Sequence, residues 1–139
     1  MNGFPIQFLP RRRFMVSNFL IEETTVRESG QSSVFKPDTI PGQPLMLTLG
    51  ITHAVEHESV GVDIFGSQDG INWTVRPLIS FTPKSYCGTY KLLLPKCDFR
   101  FLKAVWRPQR WSSADQRPFF RLYLYTEPVR EGVLAASAA

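Results

Sequence analysis

With two cysteines, two histidines and no long apolar run, this sequence is short of the means for several kinds of chemistry. Cys87 and Cys97 cannot build a disulfide framework, and neither belongs to a CxxC pair of metal-ligand spacing. They are expected as buried or half-buried thiols of a reducing compartment. No segment approaches the ~18 to 20 consecutive apolar residues that span a bilayer. The loops that cradle phosphates or carry nucleophiles are missing too: there is no P-loop, no G-x-G-x-x-G and no G-x-S-x-G elbow. Both histidines fall in "HAVEH", His53 to His57, which follows the H-x-x-E-H order of one class of zinc peptidases. That order works on a helix, where residues i and i+4 share a face, whereas here it joins two alternating stretches and is expected to be a solvated loop. Cys87, in "SYCGTY", is read as a small structural residue. No catalytic, metal-binding or cofactor-binding residue is therefore expected, and the chain is not expected to be an enzyme.

What is present is the material of one globular domain. A chain of 139 residues with 43% hydrophobic and 20% charged residues can bury roughly two thirds of the surface its unfolded form exposes. The formal charge is +4, and the positive groups are mostly arginines gathered at Arg11 to Arg13 and between Arg100 and Arg130. Aromatic residues accompany both groups. Guanidinium groups pair bidentately with carboxylate and phosphate and stack on rings, so an anionic or protein partner is indicated. "RRRFMVSNFLI" superficially resembles a twin-arginine export signal. Its apolar run, however, breaks at Ser17 and Asn18 and ends at Glu22 with no small-residue cleavage site, so export is not expected.

Residues 1–22 read as an arm: two prolines, a basic triplet, and apolar side chains with neither a period of 3.6 nor one of 2. From about Glu23 to Glu127 short alternating runs are punctuated by Pro37, Pro41, Pro44, Pro77, Pro83, Pro95, Pro108 and Pro118. Helices of ordinary length would have to contain these prolines, which remove a backbone donor and clash with the preceding turn. The runs predict strands. One face of "PLMLTLGIT" carries Leu45, Leu47, Leu49 and Ile51, and one face of "ESVGVDIFGS" carries Val60, Val62 and Ile64. "TYKLLLP" continues the series, as do "RFLKAVW", with Leu102, Ala104 and Trp106 on one face, and "PFFRLYLYT", with Phe120, Leu122 and Leu124. Weaker strands are expected near "ETTV" and "SSVFK". Seven or eight such strands predict an all-β, two-layer antiparallel β-sandwich of jelly-roll type over 23–127, followed by a short tail, 128–139.

"GSQDGINW", residues 66 to 73, holds the clearest turn signal. An Asp-box would be spaced SxDxGxTW, but Gly70 directly follows Asp69. A calcium loop would need several alternating oxygen ligands where this stretch has one carboxylate. The expectation is a hairpin turn in which Asp69 bonds the turn's own amides, Gly70 takes a positive φ, and Trp73 packs. The spelling S-x-D-G-x-x-W resembles a hairpin recurrent in discoidin-like and other galactose-binding-type jelly rolls, where the tryptophan supports the fold. Over residues 40 to 126, the succession "LTLGIT", "GSQDGINW", "PLISFTPKSYCGTY", "FRFLKAVW", "RW" and "FFRLYLY" resembles a group of small bacterial single-domain proteins of unknown function. That resemblance implies the sandwich and no activity. The chain departs from the group in its arginine-rich arm and in "RWSS", where a glycine usually follows the tryptophan.

If Leu102, Ala104 and Trp106 face the core, then Phe101, Lys103, Val105 and Arg107 face outward, and Phe119, Arg121, Tyr123 and Tyr125 do the same on the last strand. Rings beside arginines on an exposed sheet suit a protein interface. The arm adds Phe4, Phe8, Phe14 and the triplet Arg11, Arg12 and Arg13 among further large apolar groups. The partner-binding residues expected are thus Phe4, Phe8, Arg11, Arg12, Arg13, Phe14, Arg107, Arg121 and Tyr123. They point to a non-catalytic accessory subunit of a larger protein assembly, peripheral to the cytoplasmic face of a membrane complex, with anionic lipid as a further contact. An extra subunit of a bacterial photosynthetic reaction-centre and light-harvesting complex would fit that architecture. A soluble carbohydrate-binding module is the alternative. A single-stranded nucleic-acid binder is a further one, disfavoured by the modest charge and the lack of an RNP-like motif.

Overall fold

A computed structural model describes residues 18–55, 58–110 and 119–129, with the side chain of Arg110 excepted. Eight strands follow one another: β1 Phe19–Val26, β2 Gly30–Gln31, β3 Gln43–His53, β4 Glu58–Ser67, β5 Ile79–Lys84, β6 Gly88–Cys97, β7 Phe101–Arg110 and β8 Phe120–Pro128. No helix occurs among the described residues, so none of them forms one long and apolar enough to cross a membrane. The strands form two four-stranded antiparallel sheets, ordered β1-β8-β3-β6 (sheet A) and β2-β7-β4-β5 (sheet B). The all-β two-layer sandwich read from the sequence is the fold of the described residues.

The core lies between the sheets and is built by the expected alternation. From sheet A come Leu45, Leu47, Leu49 and Ile51 of β3 and Phe120, Leu122 and Leu124 of β8. From sheet B come Val60, Val62 and Ile64 of β4 and Leu102 and Ala104 of β7. Each large side chain removed from water contributes roughly 1.5–3 kcal/mol, which fixes the register, because a one-residue slip would turn every one of them outward. Trp106 is only half-buried at the margin of this core, and its indole N–H donates to the Glu28 carbonyl at 3.2 Å. Pro83 lies in β5 and Pro95 in β6, an edge strand of sheet B and of sheet A respectively, the position in a sheet that tolerates a missing donor best.

Three expectations need correction. The sandwich begins at Phe19 and not at Glu23: Leu20 and Ile21, assigned to the arm, are core residues of β1, which pairs with β8. At the other end Pro128 still pairs with Leu45, and buried Val129 donates its N–H to the Pro44 carbonyl at 3.0 Å, so both belong to the domain and not to a tail. The strand expected at "SSVFK" is displaced to Gly30–Gln31, leaving Phe35 in an isolated bridge to Leu102.

Candidate interaction surface

The turn behaves as its residue types require, within a longer connection. β4 ends at Ser67, β5 starts at Ile79, and the stretch 68–78 between them is tied down by Thr74 N–H to the Gly66 carbonyl (3.0 Å) and Leu78 N–H to the Ile64 carbonyl (2.7 Å). Asp69 Oδ1 accepts from the backbone N–H of Ile71 and of Asn72, each at 2.8 Å, and from Ser67 Oγ at 2.9 Å. Its Oδ2 accepts from the Asn72 side-chain amide at 2.8 Å. The Asn72 and Ile71 amides first, then the side chains of Asn72 and Ser67, hold this carboxyl well below the usual carboxylate range. Gly70 has φ 78°, the left-handed conformation expected of it. Trp73 is half-buried, with Lys103 Nζ 4.7 Å from its ring centroid, so it packs against the outer side of β7.

The expected partner-binding residues of the strands do not share a face. Arg107 stands on β7 in sheet B, whereas Arg121 and Tyr123 stand on β8 in sheet A. The outer faces of two packed sheets point in opposite directions, so a single basic aromatic surface containing all three does not exist. Each arginine also has an internal partner. Arg107 pairs with the buried carboxylate of Asp63 at 2.6 Å. Arg121 Nε lies 2.7 Å from Glu23 Oε2, and its Nη1 donates to Thr25 Oγ1 at 3.2 Å. Charge that the sequence offers to a partner is thus partly neutralised within the sandwich.

Sheet A holds the better-formed surface. On its outer side the register sets Phe19 beside Tyr125, Tyr125 beside Thr48, and Tyr123 beside Gly50. The absence of a side chain at Gly50 lets the Tyr123 ring lie flat on the sheet, in space that a Cβ would fill. Phe19 meets Tyr123 and Tyr125 edge-on, with ring centroids 5.9 and 5.1 Å apart. These rings, with Glu22, Glu23 and Thr48, line an open groove of about 580 Å³. Glu23 is held by Arg121 and by Thr52 Oγ1, whereas Glu22 is an exposed carboxylate at the rim. The groove is aromatic with an acidic border, and that pairing of side chains recognises apolar and cationic groups.

Sequence reasoning placed Tyr123 and Tyr125 outward but missed Phe19, Glu22, Glu23 and Thr48 as their neighbours. A strand was expected at "ETTV", and the signal for Phe19 and Glu22 lay in "FLIE" just before it, which was assigned to the arm. Phe4, Phe8, Arg11, Arg12, Arg13 and Phe14 lie outside the described residues, as does His57. His53 ends β3 with its ring 4.5 Å from that of Phe119, over which Arg27 Cζ also sits at 4.6 Å. Both cysteines are free. Cys97 is buried, and its burial pushes the thiol up, whereas Cys87 is exposed, contrary to the expectation of two at least half-buried thiols. Compared with known proteins, the chain matches no family model and no curated protein.

Proposed function

We propose that the protein is a non-catalytic docking subunit of a larger protein assembly, and that it engages its partner through the aromatic groove of sheet A and the N-terminal arm. The observation that carries this reading is the group Phe19, Tyr123 and Tyr125, held on the outer face of a four-stranded sheet and left partly exposed. Rigid rings of this kind are enriched where proteins bind one another, because they cover area with little loss of side-chain freedom. The acidic border selects a partner segment that brings apolar and basic side chains to the groove. The arm, in turn, suits an acidic subunit surface or anionic head groups through Arg11 to Arg13. On this reading the assembly is a membrane complex with the protein at its cytoplasmic face, and the specific candidate is a bacterial photosynthetic reaction-centre and light-harvesting complex. The resemblance to small bacterial single-domain sandwiches, which implies no activity, is compatible with a docking role.

Native purification of the full chain from membranes tests the proposal. Large partners should accompany the wild-type protein, and Tyr123→Ala should weaken the association roughly tenfold or more, as loss of an interface anchor does. A free monomer, or association untouched by Tyr123→Ala, would refute docking through the groove. The same groove also favours a second reading, a carbohydrate-binding module: sugar rings could stack on the tyrosines while their hydroxyls donate to Glu22 and Glu23. In that case the purified protein would be monomeric, and soluble glycans would perturb its tyrosine fluorescence. Nucleic acid is disfavoured there, because the two carboxylates repel phosphate.

A further inference from the structure

We infer that the outer edge of β6 takes up an extended acidic segment of a partner protein as an added strand of sheet A, with the segment's carboxylates set against Lys91 and Lys84. This is a second docking surface, apart from the aromatic groove. It shares with the docking proposal only the premise that the partner is a protein.

The edge strands of the two sheets differ in what they offer. β1 is interrupted by two shifts of register against β8, and β2 is 2 residues long. β5 contains Pro83, and its pairing shifts between Val60 and Val62 of β4. β6 instead pairs with β3 without interruption from Gly88 to Leu94, a regular stretch of roughly 20 Å that ends before Pro95. On the side away from β3, no described strand pairs with it. Every second residue of such an edge turns its N–H and C=O outward, and an incoming strand satisfies them.

Behind this edge the sandwich is incompletely closed. β5 and β6 belong to different sheets, and between them lies a cleft of about 360 Å³ whose apolar lining is Phe81, Tyr90 and Leu92. Tyr90 and Leu92 are half-buried and pack against the core. A strand added to β6 directs every second side chain toward this cleft, so apolar residues at those positions cover both and gain from leaving water.

Charge selects the occupant. From Ile79 to Cys97 the chain carries Lys84, Lys91 and Lys96 and no acidic residue. Lys96 lies 3.7 Å from Asp98, whereas Lys84 and Lys91 have no ion-pair partner among the described residues. Lys91 is exposed and stands beside Thr48 in the register. Lys84 reaches from β5 across to β6: its Nζ is 4.9 Å from the Tyr90 ring centroid and donates to Thr82 Oγ1 at 3.1 Å. On an added strand the residue facing Lys91 has its Cβ ~4.5–5.5 Å away, where an opposite charge stabilises the pairing and a like charge weakens it. A second copy of this edge would bring lysines against lysines. An acidic strand with apolar residues at alternate positions meets both the cations and the cleft.

Cys87, exposed immediately before β6, supplies a point of attachment for the test. The peptide VEVEVEVGC is joined to it by a disulfide in the full chain, so that it runs antiparallel to β6 at a high effective concentration. Amide hydrogen exchange is then followed along the edge. Between Gly88 and Leu94 every second amide, those turned away from β3, should slow tenfold or more. The peptide VKVKVKVGC should leave the same amides unchanged, and Lys91→Glu should weaken the protection by the first peptide and raise that by the second. No slowing with the acidic peptide, or equal slowing with both, would overturn the inference. Slowing at Ser80 and Thr82 with none on β6 would also overturn it, assigning the strand to sheet B. The outcome is separable from docking through the groove. An unprotected edge with partner capture still lost in Tyr123→Ala refutes the edge and keeps the groove, and a protected edge with capture untouched by Tyr123→Ala does the reverse.

Discussion

Asp69 commits both carboxylate oxygens to a single turn, and the acid response of the fold should show it. Its carboxyl is held well below the usual range by the amides of Asn72 and Ile71. The stability this brings is therefore complete above the ordinary carboxylate pKa of ~4 and is lost as pH falls through the lower folded value. Asp69→Ala should lower the urea midpoint at pH 7, and the gap to wild type should narrow in strong acid. A gap independent of pH would locate the stabilisation elsewhere. Gly70→Val should cost about 1 kcal/mol or more in thermal unfolding, because φ 78° carries a branched Cβ poorly. Crowding contributes little there, since the nearest side-chain atom to such a Cβ is a Phe101 carbon at 3.7 Å. The two arginine pairs should also differ. Arg107→Ala leaves the buried Asp63 without its partner, whereas Arg121→Ala exposes a Glu23 that water already reaches. The first should destabilise the protein more than the second, as denaturant titration of both variants would show.

Among the elements, β1 carries the clearest test. Deleting residues 2–17 should leave the far-ultraviolet spectrum of a folded sandwich. Deletion through Glu22 should not, because it removes Leu20 and Ile21, each worth roughly 1.5–3 kcal/mol when buried, and half of the strand paired with β8. A folded protein after the longer deletion would show β1 to be dispensable. The same strand marks the limit of what the sequence reveals. β3, β4, β7 and β8 were legible because their core residues recur at every second position, as in Leu45, Leu47, Leu49 and Ile51. In β1 two successive residues are buried, and the pairing shifts register between Phe19 and Ile21 and again between Ile21 and Thr24. These irregularities erase the period of 2, so only "ETTV" reads as a strand while Phe19 to Glu22 read as arm, and Phe19 and Glu22 of the groove are hidden with them. The turn at Asp69 and Gly70 was legible because its bonds are local. Whether Arg107 and Tyr123 share a surface was not, since alternation reveals the face of a strand and not the sheet to which it belongs.

At the scale of the whole molecule, a formal charge of +4 overstates what the sandwich offers to an acidic partner. Arg11 to Arg13 supply three positive charges with no acidic residue before Glu22, while in the sandwich Arg107 and Arg121 are paired with Asp63 and Glu23, so the triplet is the concentrated positive charge of the docking proposal. Salt should accordingly weaken partner capture through the triplet while leaving the contribution of the groove rings nearly unchanged, and a capture assay across ionic strength would separate the two. The neighbour of β1 in sheet A is β8, so the first strand of the domain waits for the last. During synthesis β1 emerges before the other strands of the sandwich and stays unpaired until β8 follows, at ~5–20 residues per second. Throughout that interval the free edge of β1 is open to a chaperone or to the assembly itself, and capture during synthesis could begin before β8 completes the groove.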